Sequence, residues 1–237
     1  MRLDRYLSES GLYTRRDASK LIRSGGVTVD GSVVRDPACK VDENRAQVTA
    51  DGKPVGYVRF RWIMLNKPAD TVSTTDGDLR SVMRLLPAEY AAMGLFPCGR
   101  LDADTTGLLI LTNDGETAHN LLSPRRHCEK VYRFACLPLS EEMRLRLETG
   151  VELFDFTSKP CRVSLCDPEH GTIAVTEGKY HQIKRMFLAV GSEILKLERI
   201  RFGGIPLDPA LASGEWRELT EEEICLLKQN GKKTDGT

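Results

Sequence analysis

The chain has 237 residues, of which 41% are hydrophobic and 29% are charged. This composition provides enough apolar material for a core and excludes a disordered chain. The formal net charge is zero, with 34 basic and 34 acidic residues, so the overall excess of positive charge that is typical of nucleic-acid binders is absent. Any surface for nucleic acid must therefore come from the local placement of charges.

The sequence offers no sign of a membrane segment, a disulfide framework or a metal site. It contains no run of about 18 apolar residues, and charged residues stand at positions 2, 4 and 5, where a secretory signal needs an apolar stretch. The seven cysteines form no Cys-x-x-Cys pair, and the four histidines lack the spacing of metal ligands. We therefore expect a cytoplasmic protein without membrane contact and without a bound metal.

Residues 1–47 are predicted to form a small domain of two short helices and a hairpin. Thr14 and Asp17 have the spacing of a capping box at the start of a helix over residues 15–23, which Gly25 and Gly26 end. Asp30-Gly31, between two apolar runs, is a preferred two-residue hairpin turn. The helix presents Ala18, Leu21 and Ile22 on one side and basic residues on another. Arg16, Lys20 and Arg23 form that basic side, and Arg15 is a further predicted RNA contact of the helix.

A basic helix face is by itself compatible with a merely solvated surface. Here it stands within a longer pattern: Arg2 to Leu7, a serine-rich turn, Thr14 to Ala18, and Val27 to Gly31. This order resembles the S4 RNA-binding domain, and the resemblance covers nearly all of the first 47 residues. It implies that the basic helix docks on folded RNA.

Residues 48–58 are predicted to be a linker, residues 59–228 a larger domain, and residues 229–237 a flexible tail. In the larger domain several strands follow one another without an intervening helix, which indicates an α+β fold on a mainly antiparallel sheet. Strands are predicted at 62–65, 108–111, 132–137, 172–176 and 194–200. Helices are predicted at 116–122, 140–148, 180–190 and 221–229, the last from a Thr220-x-x-Glu223 capping box.

The stretch from Gly99 to Gly115, GRLDADTTGLLILTNDG, is a polar loop that leads directly into a buried strand. Read alone, its carboxylates are compatible with ordinary turn formation. All seventeen positions, however, resemble the catalytic motif of the pseudouridine synthases that modify ribosomal RNA. The resemblance implies that Asp102, after Gly-Arg-Leu, is the catalytic nucleophile.

Three further stretches resemble motifs of the same family. Lys67-Pro68 follows the first apolar strand of the larger domain, and Tyr132 lies in the stretch Lys130-Val131-Tyr132. The third stretch runs from Glu177 to Phe187, and in the family it aims a basic residue at the catalytic aspartate. By register that residue is Lys184, where many relatives have Arg, so a point charge replaces a planar fork.

The family resemblance implies a role for each of these side chains. Asp102, Tyr132 and Lys184 are the predicted catalytic residues. Tyr132 would stack on an extruded base and assist proton removal, and Lys184 would hold the carboxylate. The predicted RNA contacts in this domain are Lys67, Arg100, His181, Gln182 and Arg185. Residues 177–201 carry six basic and three acidic side chains, so a neutral total hides a locally basic surface.

The sequence therefore predicts an enzyme that converts uridine to pseudouridine without a cofactor. Residues 180–187 resemble more closely the members that act on small-subunit (16S) ribosomal RNA than those that act on large-subunit RNA. The expected partner is ribosomal RNA or a small-subunit assembly intermediate, and we expect a monomer. The alternatives are a large-subunit enzyme, a non-catalytic RNA-binding assembly factor, and a glycosidic-bond hydrolase, in which Asp104 would be the second carboxylate.

Overall fold

The computed structural model of the chain describes residues 1–87, 90, 93–123, 126 and 128–230. The chain divides into two compact units, one made of Met1–Arg61 with Leu86–Leu95 and the other of Trp62–Leu85 with the chain from Phe96 onward. None of the described helices has the length and apolar content that a membrane crossing requires.

The first unit combines two helices with a four-stranded antiparallel sheet in the order β2-β1-β3-β4. Its elements are α1 Leu3–Glu9, α2 Arg15–Ser24, β1 Val27–Val29, β2 Ser32–Val33, β3 Val48–Ala50 and β4 Lys53–Val55. Buried side chains from both helices and from strands β1, β3 and β4 share one apolar core, which includes Leu3, Leu7, Ile22 and Val48. This shared core makes the unit a small domain.

Helix α2 forms where the capping pattern predicts it. The backbone N–H of Asp17 donates to Thr14 Oγ1 at 3.1 Å, and Gly25 ends the helix in the left-handed conformation at φ +87°. Ala18 and Ile22 are buried, whereas Arg16, Lys20 and Arg23 on the predicted basic side, and also Arg15, are exposed. The predicted amphipathic helix with a basic outer face is thus confirmed.

The segment 48–58, predicted to be a linker, instead contributes two strands to the first unit. Val48 pairs with Val29 of β1 and with Val55 of β4. Asp51 and Gly52 connect β3 to β4 with φ angles of +49° and +76°, the same left-handed pair that joins β1 to β2 at Asp30-Gly31. The short strands bury only alternate side chains, so their apolar pattern is too brief to stand out in the sequence.

The second unit is built on a nine-stranded sheet whose main path runs β13-β5-β7-β11-β8-β10-β9. Only the β7–β11 pair is parallel among its described pairs, so the predicted α+β class with a mainly antiparallel sheet is confirmed. The strands are β5 Trp62–Lys67, β6 Phe96–Pro97, β7 Thr106–Thr112, β8 Lys130–Cys136, β9 Arg162–Asp167, β10 His170–Val175, β11 Ile194–Phe202, β12 Ile205–Pro206 and β13 Trp216–Glu218.

The second unit has four described helices, of which three begin at a capping side chain. They are α3 Gly115–Leu122, α4 Glu141–Thr149, α5 Gln182–Val190 and α6 Glu221–Asn230. Asp114 and Ser140 cap α3 and α4. Helix α5 begins at Gln182, two residues after the predicted start, because His181 adopts a left-handed φ of +49°. Helix α6 includes residue 229, and the predicted tail from 231 onward lies outside the described residues.

The strand register places four residues in one row across the centre of this sheet. Lys67 of β5 pairs with Gly107 of β7, Gly107 pairs with Arg199 of β11, and Arg199 pairs with Tyr132 of β8. Directly paired residues project to the same side of a sheet. Gly107 has φ +93°, and a Cβ there would lie 2.4 Å from the Arg199 carbonyl oxygen, so this parallel pairing requires glycine.

Candidate active site

The loop between β6 and β7 carries Asp102, and hydrogen bonds made by its backbone groups hold it in place. The N–H of Leu101 donates to Ser73 Oγ at 3.1 Å, and the Ser73 hydroxyl donates to the Leu101 carbonyl at 3.0 Å. On the other side, the N–H of Thr105 donates to the Asp102 carbonyl at 3.1 Å. Leu101 and Thr105 are both buried, so Asp102 stands between two anchored residues.

Lys67 lies beneath this loop and donates three hydrogen bonds to backbone carbonyls. Its Nζ is 3.0 Å from the oxygen of Ala103, 2.9 Å from that of Thr105 and 3.0 Å from that of Pro68. Burial lowers the pKa of Lys67 to about 8, against the opposing charges of the nearby carboxylates. The side chain is fully buried and its three N–H groups are engaged. The predicted RNA contact is therefore replaced by a role in holding the loop.

Two basic side chains of the turn into α5 approach the Asp102 carboxylate. Lys184 Nζ lies 3.3 Å from Asp102 Oδ2, and His181 Nε2 lies 3.6 Å from Asp102 Oδ1. Lys184 also donates to Asp104 Oδ1 at 2.5 Å, a bond that lowers the pKa of Asp104. The predicted pairing of Lys184 with Asp102 is present, and the structure adds Asp104 as a second carboxylate partner.

His181 reaches Asp102 because its backbone is in an uncommon conformation. A φ of +49° at a residue other than glycine is uncommon and is found more often at binding and catalytic sites. The imidazole stacks on the Tyr180 ring with a centroid distance of 3.8 Å, and Tyr180 itself is exposed. The turn therefore presents an imidazole and an aromatic ring beside the carboxylate.

A cavity of about 500 Å³ opens next to these residues. Its volume is within the range of small-molecule sites and accommodates a nucleoside. Asp102, Tyr132 and Lys184 all line it, together with Lys130, Glu177 and Arg199. The structure therefore brings the three predicted catalytic residues into one cavity, although they come from three separate stretches of the chain.

The remaining predicted RNA contacts differ in whether they line the cavity or bond within the protein. Arg100 is exposed, and both Arg100 and His181 line the cavity. Gln182 is buried: its Nε2 donates to Glu177 Oε1 at 2.6 Å and its Oε1 accepts from the Lys179 N–H at 3.0 Å. Gln182 therefore closes the turn from residue 177 to 182, and its side chain is not free for RNA.

Arg185 is likewise engaged within the protein. Its guanidinium pairs with Asp155 and lies 5.2 Å from the centre of the Phe156 ring. It is not buried, so an RNA phosphate would have to compete with Asp155 for the same N–H groups. Its RNA contact stays a prediction.

The sequence predicted no role for Lys130 and Arg199, which are both buried and line the cavity. Arg199 is 1% exposed and Lys130 is 7% exposed. A signal is present for Arg199, because Leu197 and Arg199 both occupy inward positions of β11. A charged residue at an inward position of a strand is uncommon without a specific partner or function.

The described part of the chain contains no group of three His, Cys, Asp or Glu side chains arranged to share a metal ion. All seven cysteines are free thiols, as the scattered cysteine pattern predicts. Burial raises the pKa of the Cys98 thiol to about 12, which disfavours the reactive thiolate. The cavity itself is lined by carboxylate, lysine, arginine and phenol groups.

Comparison with known proteins agrees with this arrangement. Residues 61–189 match the RNA pseudouridylate synthase family, and residues 1–45 match the S4 domain. The chain is 33% identical to a pseudouridylate synthase of known crystal structure, with a TM-score of 0.68, covering 96% of this chain and 99% of the other.

Two curated relatives align over nearly their whole length. The uncharacterized RNA pseudouridine synthase YtzG of Bacillus subtilis is 42% identical over 97% of this chain and 99% of its own length. Ribosomal small subunit pseudouridine synthase A of Escherichia coli K12 is 43% identical over 95% of this chain and 99% of its own length. The chain therefore belongs to the RNA pseudouridylate synthase family and joins an N-terminal S4 domain to a pseudouridine synthase domain.

Proposed function

We propose that this protein converts a specific uridine of 16S ribosomal RNA to pseudouridine, with Asp102 as the nucleophile. The observation that carries the proposal is the cavity of about 500 Å³ that Asp102, Tyr132 and Lys184 line together. The 16S assignment is supported by the Escherichia coli relative, whose name refers to the small ribosomal subunit. It is also supported by residues 180–187, whose pattern resembles the small-subunit members.

The reaction requires that the bond from ribose C1′ to uracil N1 breaks, that the ring turns, and that C1′ is rejoined to C5. The base must first leave its stack and enter the cavity, at a cost of a few kcal/mol. The Asp102 carboxylate then attacks and forms a covalent adduct, which divides one difficult step into easier ones. Its approach is restricted because the loop is anchored at Leu101 and Thr105.

In this scheme Lys184 contacts the nucleophile and Tyr132 contacts the base. Lys184 holds the carboxylate at 3.3 Å, while the Tyr132 ring stacks on the extruded base, a contact worth about 1 to 3 kcal/mol. The Tyr132 hydroxyl assists removal of the proton from C5. The scheme uses no cofactor and no metal, because a carboxylate, an ammonium and a phenol supply all the groups that it needs.

Docking of the RNA is assigned to the basic face of α2 in the S4 domain. Arg15, Arg16, Lys20 and Arg23 are exposed there, and such a face binds phosphates independently of sequence. The substrate in this proposal is ribosomal RNA or a small-subunit assembly intermediate in the cytoplasm. The proposed active form is a monomer.

Incubation of the purified protein with 16S RNA, with 23S RNA and with immature small-subunit particles tests the proposal. We expect pseudouridine at one position of the 16S RNA or of the particle, located by chemical mapping, and none in 23S RNA. Modification of 23S RNA would indicate a large-subunit enzyme. Binding without conversion would indicate an assembly factor, and release of free uracil would indicate a hydrolase.

The double substitution Arg16→Ala with Lys20→Ala is expected to weaken RNA binding and to reduce its dependence on salt. Two fewer phosphate contacts should reduce the slope of log affinity against log salt by about 2. Titration of labelled RNA at several salt concentrations measures this slope. The control is Arg146→Ala with Lys228→Ala, which removes two exposed charges outside both the S4 domain and residues 177–201. An equal loss in both double variants would contradict docking through α2.

A further inference from the structure

Two buried cations line the inner part of the cavity and have no carboxylate partner. Arg199 is 1% exposed and Lys130 is 7% exposed. Among the residues that the structure describes, no Asp or Glu oxygen lies within 4 Å of either cationic group, whereas Lys184 has two such partners. Burying a charge without a counter-charge is costly, so this arrangement calls for a physical reason.

The guanidinium of Arg199 is only partly satisfied by the protein. Its Nε donates to the Leu108 carbonyl at 2.7 Å, and its Cζ lies 5.2 Å from the centre of the Phe202 ring. Its Nη2 is buried and has no hydrogen-bond partner among the described residues. Buried donors are nearly always paired, so the protein only partly compensates the guanidinium charge that lies beside the cavity.

Lys130 lies near Arg199 on the neighbouring strand β8. Its Nζ donates to the Cys128 carbonyl at 3.1 Å and lies 5.7 Å from the same Phe202 ring. Burial lowers the pKa of Lys130, and the charge of Arg199 contributes to the shift. The other titratable groups close to this pair are the Cys98 and Cys128 thiols and, more weakly, Glu177.

The pseudouridine reaction generates negative charge at the place where a uracil ring would lie. When the C1′–N1 bond breaks, its electron pair stays with the base and is delocalised over N1, O2 and O4. This holds when Asp102 attacks C1′, because the C5–C6 double bond of the ring then stays intact. A fixed donor in a buried site stabilises such an anion far better than a donor in water does, because the donor needs no reorganisation.

We propose that Arg199, supported by Lys130, stabilises the uracil anion through the positive charge of its guanidinium group. In this step the C1′–N1 bond breaks and the base takes the electron pair. C1′ stays bonded to the Asp102 carboxylate while the ring turns. C5 then uses an electron pair to bond to C1′ as the bond from C1′ to Asp102 breaks and returns its electron pair to the carboxylate. The C5 proton leaves, and N1 gains a proton. Atoms and electrons balance without an oxidant or a reductant. The inference rests on the proposed function.

A purely structural role for Arg199 would be to hold the Leu108 carbonyl. The substrate 5-fluorouridine distinguishes the two roles, because fluorine withdraws electrons and stabilises the uracil anion without help from the protein. Loss of an anion-stabilising residue should therefore slow the reaction of 5-fluorouridine less than that of uridine. Loss of a structural contact should slow both substrates by the same factor.

The experiment uses the full chain and RNA transcribed with either uridine or 5-fluorouridine. The single-turnover rate at which the original nucleoside disappears from the target position is followed by digestion and mass spectrometry. We expect Arg199→Gln to slow the uridine reaction by about 100-fold or more, and the 5-fluorouridine reaction by at least tenfold less. Arg199→Lys should recover part of the loss, because it retains the charge.

Lys130→Met is a second variant that leaves the Leu108 contact intact. It is expected to slow the uridine reaction more than the 5-fluorouridine reaction, with smaller losses of rate than Arg199→Gln causes. Its melting temperature should stay close to that of the unmodified protein. Equal losses of rate on both substrates in these variants would overturn this inference but not the proposed function. Absence of pseudouridine with the unmodified protein would instead overturn the proposed function, and this inference with it.

Discussion

Asp102→Asn is expected to lower the rate of pseudouridine formation by about 10⁴-fold or more, while RNA affinity changes by no more than a few-fold. Removal of a covalent nucleophile has effects of this size in other enzymes. Asparagine has nearly the shape of aspartate, so the loop that is anchored at Leu101 and Thr105 should keep its conformation. Single-turnover assays with mapped RNA measure the rate, and a binding titration measures the affinity.

The matched control for this substitution is Asp104→Asn. Asp104 is also bonded to Lys184, but its side chain is 71% exposed and it belongs to the same loop. We expect this variant to retain at least about a tenth of the rate, because the nucleophile remains. If Asp102→Asn turned over normally, Asp102 would not be the nucleophile. A large loss in both variants, with free uracil among the products of the unmodified protein, would favour a two-carboxylate hydrolase.

Lys67→Met is expected to have the second largest effect, and to lower the rate of pseudouridine formation more than the stability of the fold. Without the ammonium, the carbonyls of Ala103 and Thr105 lose the donor that fixes the loop around Asp102. A displacement of about 1 Å at a reacting group costs about 100-fold in rate. We therefore expect a loss of that size or larger, with RNA affinity close to that of the unmodified protein.

Two opposing terms limit the stability change in Lys67→Met. Each buried carbonyl that loses its partner costs about 1 to 3 kcal/mol. The substitution also removes a buried charge, whose cost is reflected in the pKa lowered to about 8. We expect the free energy of unfolding to fall by about 1 to 3 kcal/mol, as measured by chemical denaturation. Lys196→Met, at an exposed position, is the control and should change neither quantity. A normal rate in Lys67→Met would show that the loop is held without Lys67.

The features predicted correctly from the sequence share one physical property, which is that their signals are local. Thr14 and Asp17 are three residues apart, and the Asp17 N–H bonds to Thr14 within the same turn. Ser140 and Thr220 start helices for the same reason. The capping interaction is complete within four residues, so no other part of the chain is needed to recognise it.

The linker prediction failed because its signals depend on partners distant in sequence. Residues 48–50 are strand-like only when β1 lies beside them, although Asp51-Gly52 has the same turn chemistry as Asp30-Gly31. The predicted start of α5 was wrong for another reason. His181 adopts a left-handed conformation that brings its imidazole near Asp102, and the helix begins only after this residue. Local propensity does not predict that conformation.

The sequence by itself determined the two-domain organisation in outline, the α+β class and the identity of the three candidate catalytic residues. It did so through capping pairs, turn dipeptides, strand alternation and motifs that resemble a known family. Only the tertiary structure decided that Lys67 supports the loop instead of contacting RNA, and that the buried guanidinium of Arg199 lines the cavity. These roles depend on pairings between Lys67, Gly107, Arg199 and Tyr132. Strand register across such distances is set by packing of the whole sheet, which no local pattern encodes.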